Sequence, residues 1–221
     1  MTHQMPPRPV VFTPDNEPYL GRESVFAFDK LIVACLEASA EVAPRTHNMN
    51  RSDLQMAACQ LIPQGTSIAL SIRELVRQGH LFGSLVLMRS LAERTTILLY
   101  LYRNPNAVGI WKRGWRHGER PSLAAMLNAI GGTAFPGVGP EITRSLNSIT
   151  HGDPDSGVWS LIQMSDGGLG HAVSKILNNP SLCDKVCMEA AVWLAVIMGM
   201  INAVFSDIEH EQTEPMADPG T

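Results

Sequence analysis

Arg144, Asn147 and His151 are the residues in this chain whose types and spacing could do chemistry together. At i, i+3 and i+7 they share one face of a helix. Arg offers a fixed positive fork suited to phosphate. His can move a proton near neutral pH. Asn can donate to or accept from either of them.

The sequence around them frames a short helix over 139–152. Pro140 suits the first helical position, and Glu141 lies where the helix dipole favours an anion. Gly152 suits the left-handed residue after the last turn, and Pro154 blocks continuation. Ile142, Leu146 and Ile149 form the apolar stripe opposite Arg144, Asn147 and His151. Two readings of the polar face stand side by side. It is the solvated side of an amphipathic helix, or it is a site free to meet a second subunit.

Two further groups bear on that choice. Arg89 and Glu93, at i and i+4, interrupt an apolar helix over 81–102. They are an intrahelical pair worth about 0.2–0.5 kcal/mol if exposed. If buried they need further partners, because desolvation costs more than the pair returns; they could then orient the 144/151 face. Lys112, Arg113, Arg116 and Arg120 put four cations into 106–120, a segment read as one helix, against Glu119 alone. His117 lies among them, and Trp111 and Trp115 are one turn apart. The segment is either a solvated basic side over tucked-in tryptophans or an electropositive, aromatic-edged patch for a phosphate backbone.

Composition sets the frame for these residues. The chain has 221 residues, enough for one sizeable domain, with 45% hydrophobic and 17% charged residues. The net charge of −4 comes from the end: the last 13 residues hold four acids and no Lys or Arg, and residues 1–208 balance 17 basic against 17 acidic residues. A neutral body does not advertise broad nucleic-acid coating, though it leaves room for a local basic patch. Cys35, Cys59, Cys183 and Cys187 lack zinc or redox spacing, and no His-x-x-x-His, Walker loop or Gly-x-Ser-x-Gly elbow occurs, so no metal site or cofactor is expected. Gly168-Leu-Gly170 lacks the context of a phosphate-binding fingerprint. No signal peptide is visible, and a cytoplasmic, reduced protein is the default expectation.

Apolar periodicity predicts an all-α bundle of five to seven helices. Residues 1–21 form a flexible Pro-rich arm, 22–208 one helical domain, and 209–221 a disordered acidic tail. Helices are expected over 22–42, from Ser52 with a kink or break at Pro63, over 66–79, 81–102, 106–120, 122–130 and 181–208. The 81–102 helix is apolar almost all round and should sit centrally. Residues 159–164 read as a short extended piece, and Gly167, Gly168 and Gly170 as a loop. The 16 uncharged residues from Ala190 to Phe205 read as a buried or shared helix rather than a membrane span, which needs about 20 apolar residues.

Arg144, six intervening residues and His151 resemble the Arg-x(4–6)-His signature of the HEPN family. The segments Leu87-Met-Arg-Ser-Leu-Ala-Glu93 and Asn147-Ser-Ile-Thr-His-Gly152 are also similar to an uncharacterised bacterial group placed with it, and the resemblance spans roughly residues 50–208. One departure is plain: many of these nucleases carry a polar residue, often Asn, directly after the Arg, whereas here Ser145 follows Arg144 and Asn147 comes later. The resemblance implies an all-helical, homodimeric, metal-independent endoribonuclease of phage defence or of a toxin–antitoxin pair, with RNA as substrate and an antitoxin or other protein as partner. It implies catalysis by Arg144, Asn147 and His151, support from Arg89 and Glu93, and RNA guidance by Lys112, Arg113, Arg116 and Arg120. The reading from another class is a non-catalytic helical protein that uses the 144/147/151 face for dimerisation or for a partner. An interhelical small-molecule pocket, hinted at by the 11 methionines, is a third.

Overall fold

The computed structural model describes residues 17–47, 50–116, 118–131, 140–159, 161–171 and 179–206. The arm up to residue 16, His117, nearly all of the 131–139 segment and the acidic tail lie outside the described residues.

The fold is all-α. Among the described residues, seven α-helices and one small hairpin run in the order α1 (Glu23–Val42), α2 (Asp53–Arg77), α3 (Leu81–Arg103), α4 (Pro105–Lys112), α5 (Leu123–Ile130), α6 (Pro140–His151), β1 (Leu161–Gln163), β2 (Leu169–His171) and α7 (Pro180–Phe205). The central position expected for α3 is borne out. It packs against α2, α4, α5, α6 and α7, and Leu81, Met88, Leu91, Leu98 and Leu101 have no exposed surface.

The other helices close around it. α7 packs on α1, α2 and α3 through Val186, Ala190, Leu194, Ile197 and Ile201. By length and composition it is the one helix among the described residues that could cross a membrane. α1 and α7 run parallel. Arg22 and Ser24 hydrogen-bond Asp184 at one end, and Val42 meets the Ile201 and Phe205 neighbourhood at the other.

Local signals explain most of the boundaries. Ser52 caps α2 with a full capping box: its Oγ accepts from Gln55 N at 3.2 Å, and Gln55 Oε1 accepts from Ser52 N at 2.9 Å. Ser122 caps α5 by accepting from Ala125 N at 3.1 Å.

Several expectations are corrected. α2 runs unbroken through Pro63. Its flanks Leu61, Ile62, Gly65 and Thr66 are buried, and that packing outweighs the lost backbone donor. Gly65 lets α2 approach α7, where an added Cβ would collide with the Ile197 side chain. The basic helix stops at Lys112, because Gly114 at φ 88° and Trp115 at φ 28° turn the chain into a loop. Gly170, read as loop, pairs in β2 with Ile162.

The arm also ends sooner than expected. Tyr19 is 1% exposed, and its hydroxyl accepts from Asn179 N at 3.1 Å. Glu17 and Asp29 both meet Arg73, each at 2.5 Å. Residues 17–21 are therefore docked on the helical body.

Candidate functional site

α6 forms where its start and stop signals place it. Gly152 has φ 69°, and Asp153 N donates to the Ser148 carbonyl at 3.2 Å, the long bond of a Schellman cap. Thr143 and Leu146 are buried and Ile149 is half-buried, so the inward face is the one the periodicity indicates. On the other side Arg144 and His151 are exposed and Asn147 is half-buried. Seven residues at about 1.5 Å each separate Arg144 from His151 by roughly 10 Å along the axis. Asn147 lies between them.

Arg89 and Glu93 do not pair with each other. Arg89, half-buried in α3, donates through Nη1 to Asn147 Oδ1. Glu93, one turn further, accepts from Arg120 Nη2 and also lies 3.8 Å from Arg94. The expected intrahelical pair is thus replaced by two long-range links. The cause is burial: α3 is covered by α6 and α5, so both side chains find partners on neighbouring segments rather than on their own helix. Arg94 is held in turn by Gln64, whose Oε1 accepts from Nε at 2.9 Å.

These two links bring together residues far apart in sequence. Asn147 of α6 and Arg120, which closes the loop after α4, attach to adjacent turns of the same α3 face. Arg120 also lies over the Trp115 ring, 5.8 Å from its centroid. The candidate catalytic helix and the candidate RNA-guiding loop are both anchored on α3.

The four cations of that loop are not equivalent. Lys112 Nζ pairs with Asp53 at 2.5 Å, and Arg120 with Glu93. Arg113 and Arg116 are exposed, and among the described residues no acid pairs with either guanidinium; the Arg116 backbone N donates to Glu119 Oε2 at 2.9 Å. Trp111 and Trp115 are half-buried and pack against the core, as expected. The basic surface is therefore smaller than the sequence count suggests.

Sequence reasoning left open that a buried Arg89 takes a partner toward the 144/151 face; it did not identify Asn147 as that partner, nor Arg120 as the partner of Glu93. Among the described residues no three His, Cys, Asp or Glu side chains are grouped so as to hold a metal ion. Compared with protein-family models, with curated proteins and with solved structures, the chain gives no significant match.

Proposed function

We propose that the chain is a HEPN-like endoribonuclease that cuts RNA without a metal ion, with Arg144, Asn147 and His151 as its catalytic face. The observation that carries this reading is the double anchorage on α3. Arg89 holds Asn147 between two exposed residues suited to phosphate and proton, while Glu93 holds Arg120 one turn away. In this reading His151 takes the proton from the attacking 2′-hydroxyl or returns one to the leaving 5′-oxygen. Arg144 grips the phosphate and stabilises its added charge. Asn147, fixed through Oδ1, keeps its amide N–H groups for a phosphate oxygen. Arg113 and Arg116 guide the strand.

A separation of roughly 10 Å along one helix is long for a single phosphate to be gripped by Arg144 and served by His151 of the same copy. Two α6 helices antiparallel across a two-fold axis would set Arg144 of one copy beside His151 of the other. The active unit is then a homodimer with two composite sites. Arg144→Ala and His151→Ala each abolish RNA cleavage. Mixing and re-annealing the two variants restores a fraction of it, because one composite site in each mixed dimer is intact. Undiminished cleavage by either single variant places the chemistry elsewhere.

One observation favours a non-catalytic reading. Asn147 Oδ1 is already engaged by Arg89, which makes Asn147 a structural tie and leaves Arg144 and His151 as a polar docking face. That reading predicts no cleavage by wild type and loss of self-association or partner binding in Arg144→Ala.

A further inference from the structure

Arg51 stands apart among the half-buried arginines. Arg22, Arg73, Arg77 and Arg94 each meet a carboxylate, and Arg89 meets an amide oxygen. Arg51 meets no oxygen among the described residues; its polar contact is the Cys59 thiol, with Nη1 3.8 Å from Sγ. The nearest acid in sequence, Asp53, is taken by Lys112. A half-buried guanidinium with no anion beside it among the described residues is placed to receive one from a ligand.

The side chain borders a cavity of about 220 Å³ between the C-terminal ends of α1 and α7 and the first half of α2. Val42, Ile62, Ile201 and Phe205 make its wall apolar. The two hydroxyls on the wall are already committed: Ser39 Oγ donates to the Cys35 carbonyl at 2.8 Å, and Thr46 Oγ1 to the Ala43 carbonyl at 2.9 Å. Among the described residues, Arg51 is thus the charged group on this wall that meets no oxygen, and it faces an apolar space. An adjoining hollow shares Val42, Ile201 and Phe205 and is lined by Glu41, which would repel a second anionic group on the same ligand.

We infer that this cavity binds a small organic monoanion, a carboxylate on an apolar body, with its head on Arg51 and its body between α1, α2 and α7. A dry cavity of about 150 Å³ accommodates benzene, so this one takes a single ring or a short chain together with its carboxylate. The site is independent of the α6 face and does not rest on the nuclease reading.

The test uses the full chain with hexanoate, octanoate and benzoate, and with hexanol and benzyl alcohol as uncharged counterparts. Binding is read by calorimetry and by the rate of iodoacetamide labelling. Cys35, Cys183 and Cys187 are buried and Cys59 is half-buried, so labelling of the native protein reports Cys59. At least one acid should bind saturably and slow Cys59 labelling. Arg51→Met should weaken that acid about tenfold or more while leaving the alcohols unaffected. Arg51→Lys, which keeps the charge without the fork, should retain part of the affinity and serves if Arg51→Met fails to fold. No saturable binding by any of the acids, equal binding to Arg51→Met, or an alcohol binding as tightly as its acid would overturn the assignment.

Discussion

Arg89, at the middle of α3, donates to the side-chain oxygen of Asn147, at the middle of α6. The two residues are 58 positions apart, and their link ties α6 to α3 beside the buried Thr143 and Leu146. Arg144 and His151 are exposed on the same helix. Asn147 is thus the residue of the candidate face that is bonded to the central helix.

The first prediction concerns that link. Arg89→Ala and Asn147→Ala should each destabilise the fold by about 1–3 kcal/mol, because each strands a partly buried polar partner. In a double-mutant cycle followed by urea unfolding the two should couple by about 0.5–3 kcal/mol. Additive effects would show that the two side chains act independently. Asn147→Asp offers Arg89 a carboxylate and should be tolerated.

The docked end of the arm gives a second prediction. Arg73 is about 16% exposed in its side chain and Glu17 about 6%. Burial works against the Arg73 charge, and hydrogen bonds from it to Asp29 and Glu17 more than offset this, so its pKa is raised. Glu17→Gln should cost about 1–3 kcal/mol, since Asp29 remains as a partner. An unchanged stability of Glu17→Gln in urea unfolding would contradict the docking of Glu17.

Asp184 sets a pH dependence. Hydrogen bonds from Arg22 and then Ser24 hold its carboxyl down at about 2, below the usual value near 4. A depressed acid contributes stability above its unfolded value and loses it as pH falls through the folded value. Wild type should therefore lose its advantage over Asp184→Asn progressively between about pH 4 and pH 2. The side chains are 35% and 37% exposed, so solvent and salt trim the effect. A constant difference across that range would refute the role of the pair.

Pro63 offers a gain rather than a loss. It is exposed on an unbroken helix and supplies no backbone N–H to the Cys59 carbonyl. Pro63→Ala restores that bond while releasing some unfolded-chain entropy, for a net stabilisation of about 1–2 kcal/mol in urea unfolding. A loss would mean that the proline ring is itself part of the packing.

The course of the fold was legible where local rules and periodicity agree. Ser52, Ser122 and Gly152 mark helix ends by side-chain capping and backbone handedness, and the apolar breadth of α3 announces its central place. Pro63 and Trp115 were not legible, because tertiary packing overrides propensity at the first and two consecutive positive φ angles end the helical run at the second. The polar side of α6 was legible as a face. Its anchorage was legible only in part: the charged pair on an apolar helix pointed toward the 144/151 face, but Arg89 and Glu93 are four residues apart, and only the placement of α6 and of the loop carrying Arg120 sends them to different partners.

The most direct measurement is incubation of wild type and His151→Ala with mixed RNA in EDTA, followed by analysis of the product ends. Cleavage by wild type alone, leaving 2′,3′-cyclic phosphates, is the predicted result, with His151→Ala folded and dimeric. Absence of cleavage by the folded, dimeric wild type, or equal cleavage by both proteins, would contradict the assignment of α6 as a ribonuclease site.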